Sequence, residues 1–235
     1  MKRIILLIMV ICITASLCAC GNSNASADKT DAKQNAEPQY EITYSSAKIW
    51  ENSIGSHNRL VVVEVENKGN NSLLLSMSGF DLEDSNGNLL ESEQYVVVAP
   101  PVIAPGEKGY MFDNWGSEAD FEGEAVVKPH LNITNTTSEP TKFNISDIEL
   151  KENKFGVFRV IGRIENDSDE EYTRVNILCI VKNENNEPIA VISSGVDNVK
   201  PHEKYGFDSS CMTVPKDITF EDGKSVEVFA YVNQY

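Results

Sequence analysis

Val61-Val62-Val63-Glu64-Val65-Glu66-Asn67 returns 99 residues later as Val160-Ile161-Gly162-Arg163-Ile164-Glu165-Asn166. At the same offset Asp84-Ser85-Asn86-Gly87-Asn88-Leu89-Leu90 is answered by Asn183-Glu184-Asn185-Asn186-Glu187-Pro188-Ile189, and Tyr44 and Ile49 by Phe143 and Ile148. Pro105-Gly106-Glu107-Lys108 and Phe112-Asp113 recur as Pro201-His202-Glu203-Lys204 and Phe207-Asp208, at offsets of 96 and 95. Self-similarity at a fixed period means that one structural unit is built twice. Whatever fold the first copy adopts, the second must be able to adopt as well.

Each copy consists of short Val/Ile/Leu-rich runs bounded by turn residues. Residues 157–166 and 173–182 carry period-2 stretches, with Val175, Ile177, Cys179 and Val181 on one face, as a half-buried strand requires. Asn86-Gly87 is the pair favoured in two-residue hairpins, and Asn185-Asn186 can take the same shape. Pro105-Gly106 and Pro201-His202 start a further turn. No segment shows a capped amphipathic helical stripe. A copy of about 95 residues with several strands and no helix favours a β-sandwich over a barrel. The expectation is an all-β chain with two tandem immunoglobulin-like sandwiches, residues 39–131 and 142–235, joined by the polar, β-branched run 132–141.

The chain begins Met1-Lys2-Arg3, continues with an apolar run to about Ala15, and reaches Ser16-Leu17-Cys18-Ala19-Cys20. A charged start, a short apolar run and a small-residue cleavage site make a secretory signal, residues 1–19, too short for a spanning helix of about 20 apolar residues. Leu17-Cys18-Ala19-Cys20 resembles the bacterial lipobox. The resemblance implies a diacylglyceryl thioether on Cys20 and cleavage after Ala19; Cys18 fits less well because bulky Leu17 precedes it. Two fatty-acyl chains of the palmitate kind bury methylenes at about 0.8 kcal/mol each, enough for stable anchoring. Residues 20–38 are polar and aperiodic, a flexible tether with a coil span of roughly 20–25 Å. The protein is thus expected at the cell membrane, lipid-anchored on the extracellular face.

The formal charge of the chain is −16, and loss of Lys2 and Arg3 with the signal takes it to −18. A field of this sign repels nucleic acid and anionic headgroups, which excludes nucleic acid as an expected partner.

The second copy is similar to the FxLYD-type domains of bacterial surface lipoproteins. The similar features are a strand running into Glu165-Asn166, a long strand into Asn185-Asn186, and Val199-Lys200-Pro201-His202-Glu203 leading to Phe207. His202 stands where that family has glycine, and Asn186 takes the place of the hairpin glycine; Pro105-Gly106-Glu107 in the first copy keeps the turn better. The resemblance implies an immunoglobulin-like sandwich and no established activity, so it brings no catalytic residue.

Sites of chemistry are sparse. Cys179 and Cys211 are the cysteines left after signal removal and lipidation, and in an exported protein they either form one disulfide or serve as small buried apolar side chains. His57, His130 and His202 lack the spacing of a zinc pair; the first two read as solvated loop residues and His202 as a turn residue in the place of Gly106. The acidic run 81–88 offers oxygen ligands, but its glycine is misplaced for a calcium loop and a hairpin explains it. No Gly-x-Ser-x-Gly elbow or His-Glu-x-x-His motif is present.

Trp50 and Trp115, both in the first copy, are candidate binding platforms or packed residues at a sandwich end. The expected function is non-catalytic binding of a protein or polysaccharide of the envelope or surroundings, without metal or cofactor. The alternatives are a structural spacer or accessory subunit of an envelope assembly, and, from another class, an envelope enzyme or enzyme inhibitor with its site in an unrecognised loop. Metabolic labelling with a fatty-acid analogue tests the anchor: label is expected to vanish in Cys20→Ala and persist in Cys18→Ala.

Overall fold

A computed structural model describes residues 37–233 except residue 213. Cys20, the signal and all but the last two residues of the tether lie outside the described residues. The described chain is all-β, its one helical element a single 3-10 turn, Phe220–Asp222.

The first half comprises β1 (Tyr40–Glu51), β2 (His57–Asn67), β3 (Ser72–Glu83), β4 (Leu89–Ala99), β5 (Val102–Ile103), β6 (Lys108–Asp113), β7 (Gly116–Ser117) and β8 (Gly123–Thr136). The second half comprises β9 (Asn144–Glu152), β10 (Phe158–Glu165), β11 (Tyr172–Lys182), β12 (Pro188–Val199), β13 (Lys204–Ser210) and β14 (Ser225–Tyr231). Strands β9, β10 and β13 form one sheet, and β12, β11 and β14 another. The same antiparallel partners recur in the first half, where β2 pairs with β1 and β6, and β3 with β4 and β8.

The first half departs from the expected sandwich because its six long strands close into a ring, β1-β8-β3-β4-β6-β2-β1. Two strands turn the corners. Gly123–Ala125 at the start of β8 pair with Ala47–Ile49, while the rest of β8 pairs with β3. Val97–Ala99 at the end of β4 pair with β6. Strands of 14 and 11 residues are long enough to serve two sheets and remove the open edges between them. The end of β8 also takes residues 132–136 from the expected joint: they pair with Ser72–Ser76, and the run between the halves is 137–143.

Three apolar clusters separate four sheet layers. The first cluster fills the ring with Val61, Val63, Val65, Leu73, Phe80 and others; the second fills the C-terminal half with Val175, Ile177, Cys179, Val181 and their neighbours. The third lies between the halves and joins Trp50, Leu60, Val62, Tyr110 and Phe112 to Leu178, Ile180, Val191 and Tyr231. Strands β2 and β11 are therefore covered on both faces, which is why Leu60-Val61-Val62-Val63 and Ile177-Leu178-Cys179-Ile180-Val181 read as continuous apolar runs. The possible bridge between Cys179 and Cys211 is not made: both are buried thiols of the second cluster.

Charged groups are buried in the third layer. Lys182 is 1% exposed; its Nζ lies 2.8 Å from Glu227 Oε1 and 3.4 Å from Glu64 Oε2. Tyr110 Oη lies 2.7 Å from both Glu64 Oε2 and Glu227 Oε2, so its single proton serves one carboxylate at a time. Lys108 Nζ and Thr43 Oγ1 complete the Glu64 carboxylate at 2.8 and 2.7 Å. Burial alone would raise the Glu64 carboxyl, but bonds from Lys108, Thr43 and Tyr110, with the charge of Lys182, hold it at about 2. Burial, then the two carboxylates, push the Tyr110 phenol up.

Because the folded carboxyl titrates below its ordinary 4.5, the stability Glu64 contributes is complete above that pH and is lost as pH falls toward about 2. Denaturant titrations from pH 7 to pH 2.5 should show this acid limb, and Glu64→Gln should flatten it. Lys182→Met, which strips buried Glu64 and half-buried Glu227 of their shared cation, should cost about 3 kcal/mol at pH 7.

Candidate functional site

The turns are built on one plan that the sequence reading caught only in part. In each of four hairpins an Asn or Asp side chain accepts backbone N–H bonds from two and four residues on: Asn52 from Ile54 and Ser56, Asp84 from Asn86 and Asn88, Asn153 from Phe155 and Val157, Asn183 from Asn185 and Glu187. The residue three after each Asx has positive φ: Gly55, Gly87, Gly156 and Asn186. These are three-residue loops ending in a left-handed residue, not the two-residue Asn-Gly type expected at 86–87. The acidic run around Asp84 is thus a hairpin whose carboxylate is spent on the turn's own backbone and on the Asn88 amide.

Two of these turns carry exposed apolar tips, Ile54 and Phe155, at equivalent positions of the two copies. Trp115 is likewise in solvent, 80% exposed. Its backbone is fixed, the N–H donating to Asp113 Oδ1 at 3.0 Å and the carbonyl accepting from the Arg59 N–H at 2.8 Å, while its ring projects into solvent. Trp115 lines a groove of about 500 Å³ between the halves, opposite Val191, Ser193 and Met212. Met212 and Ser210 continue into a second hollow with Phe155, Arg159 and Asp208. Met212 is itself exposed, so aromatic and thioether groups run from one half across to the other.

Trp50 corrects the other half of the tryptophan expectation. It is only 5% exposed and packs in the cluster between the halves, so it supports the layer and offers no platform. Met212 and Phe155 were missed because a lone Met after a strand and a lone Phe in a turn carry no periodic signal. The equivalence of Asn52-Ser53-Ile54-Gly55 with Asn153-Lys154-Phe155-Gly156 was the signal available.

The strip lies at a defined end of the molecule. Tyr40 pairs with Asn67, and Glu51 pairs with His57, beside the Gly116–Ser117 strand that follows Trp115. The chain enters β1 at one end, and the strip sits roughly 35–40 Å away at the other.

Two of the three histidines are in different surroundings from those expected, and His202 is the turn residue it was read as. His57 and His130 lie in β2 and β8 rather than in loops. His202 has φ +57° in the turn where Gly106 has φ +78°, and its ring meets Asp169 at 2.9 Å. His130 Nε2 lies 2.9 Å from Asp81 Oδ2, and Ser92 also bonds Asp81. Ser92 thus meets the acid and not the imidazole, so this trio is not wired as nucleophile and base. Those bonds, from Ser92 first and His130 second, hold the Asp81 carboxyl below its ordinary value. Among the described residues no group of three His, Cys, Asp or Glu side chains could hold a metal ion.

Within the ring, Arg59 is buried over the Phe80 ring and pairs with Glu91, Glu93 and Asp113. Strand β4 serves this ion cluster and the core because of an extra residue. Glu91 and Glu93 reach Arg59, and beyond a bulge Val96 and Val98 join the first cluster. The bulged residue is Tyr95, at φ +64°, a conformation that costs an aromatic residue about 1–2 kcal/mol. In sequence comparisons no known family model and no curated protein matches the chain.

Burial raises the Cys179 thiol to about 12, against a weaker opposing bond with Ser209. Cys179 is expected to resist a thiol-directed reagent in the native protein at pH 8 and to react within minutes in denaturant; fast native reaction would contradict its burial.

Proposed function

We propose that the chain is a membrane-anchored extracellular lipoprotein of two immunoglobulin-like copies of the FxLYD type, which binds a protein partner through the strip at the end remote from its anchor. The observation that carries this reading is Trp115, held by its backbone with its ring in solvent, in a groove that continues through Met212 to Phe155. Aromatic and Met side chains, with an Arg at the margin, are the residue types enriched in protein interfaces. Met also adapts to uneven partners. The expected lipid at Cys20 and the polar tether would place the opposite end of β1 toward the bilayer, leaving the strip facing outward. Loops at the end of a sandwich are where such folds bind partners. The shared cluster between the halves supports the reading in a second way, since a groove assembled from both copies needs them held in one relative placement.

Site-specific photocrosslinking on intact cells tests this. A benzoylphenylalanine at position 115 or 212 is expected to give one reproducible protein adduct, and the same probe at exposed Arg163 none. Trp115→Ala should weaken the interaction by about 30-fold, as for an aromatic anchor. No adduct from either strip position would leave the chain a spacer.

A further inference from the structure

We propose that the outer face of the first half carries a second site, which binds the face of a neutral sugar ring on Tyr95. Tyr95, Met77, Asp81, Ser92, Gln94 and His130 line a shallow hollow of about 440 Å³ on the sheet of β8, β3 and β4. Tyr95 is 76% exposed and Met77 nearly as much, so an aromatic ring and a thioether stand together in water. The site is separate from the strip around Trp115, with which it shares no lining residue.

The hollow is made by irregularities in adjacent strands. Pairing of β3 with β4 shifts between Ser78 and Gly79, and that of β3 with β8 between Ser76 and Gly79. The backbone groups freed there are met by Ser78, whose hydroxyl donates to the Ser76 carbonyl at 2.8 Å and accepts from the Asn132 N–H at 3.2 Å. At Gly79 a Cβ would lie 2.4 Å from the Glu93 carbonyl oxygen, so only glycine permits this approach of β3 to β4. The phase shift of β4 needs an extra residue at 95 but not a tyrosine. Glycine would take φ +64° without strain. A bulky residue kept in a strained backbone with its ring in solvent gains nothing for the fold, and strain of this kind gathers at ligand sites.

The chemistry of the lining selects the ligand. A pyranose presents an apolar face of C–H groups, which suits a Tyr ring, and a rim of hydroxyls that both donate and accept. Gln94 supplies both functions from one amide, while the Ser92 hydroxyl and the Asp81 carboxylate, already bonded to one another, keep lone pairs that accept. An anionic ligand would meet Asp81 on a chain of formal charge −16. An apolar peptide would desolvate Asp81, Gln94 and His130 without replacing their water. The partner is therefore a neutral polysaccharide.

Affinity electrophoresis of the mature, detergent-solubilised chain in native gels containing hydroxyethylcellulose, soluble starch or galactomannan tests this. At least one polymer should retard the wild type and the Tyr95→Phe and Trp115→Ala variants. Tyr95→Gly should melt at a higher temperature yet lose at least ten-fold in affinity, separating the ring's ligand role from any role in folding. No retardation by any of the three polymers would overturn the proposal, as would undiminished binding by Tyr95→Gly.

Discussion

The fold rests on two strands, β2 and β11, that have no wet face. Each gives one set of side chains to its own half and the other set to the layer between the halves. Apolar burial alone would tolerate sliding of one sheet over the other. Lys182 does not: a shift of one residue pair, about 6.6 Å along the strand, would carry the buried ammonium away from Glu64, and its sheet neighbour Glu227 away from the Tyr110 hydroxyl, with nothing in an apolar layer to replace them. Shape and charge together set a single placement, and the groove beside Trp115 depends on it.

The fold was legible where local pattern is strong. The repeat became matching strand partners, and the alternation of Val175, Ile177, Cys179 and Val181 became a face of the second cluster. Asn67 and Asn166, found as mere ends of a repeated string, are fully buried and hold the following loops through side-chain bonds to Asn71 and Ile103 carbonyls in one copy and the Glu170 carbonyl in the other. Ring closure was not legible, because it depends on where a long strand bends between sheets, a tertiary matter that residue type does not mark. The layer between the halves was half-legible: Leu60-Val61-Val62-Val63 announced burial on both sides, but a continuous apolar run does not name what covers its second face.

The candidate site was less visible still. Trp115 stood out because tryptophan is rare in this chain, yet Trp50 stood out equally and proved to be core. Rarity marks a residue that matters without saying whether for packing or contact. Tyr95 left no sequence trace: its interest lies in a backbone angle, and aromatic residues are ordinary in strands.

The buried, unbridged thiols bear on how such a chain reaches maturity. Exported domains of modest size often wait for an oxidant to lock them. Here four stacked sheets and a closed ring supply the cohesion, and Cys179 and Cys211 are both buried in the second cluster. The folded body needs no thiol oxidation to be complete, and its integrity is indifferent to swings in the redox potential around it.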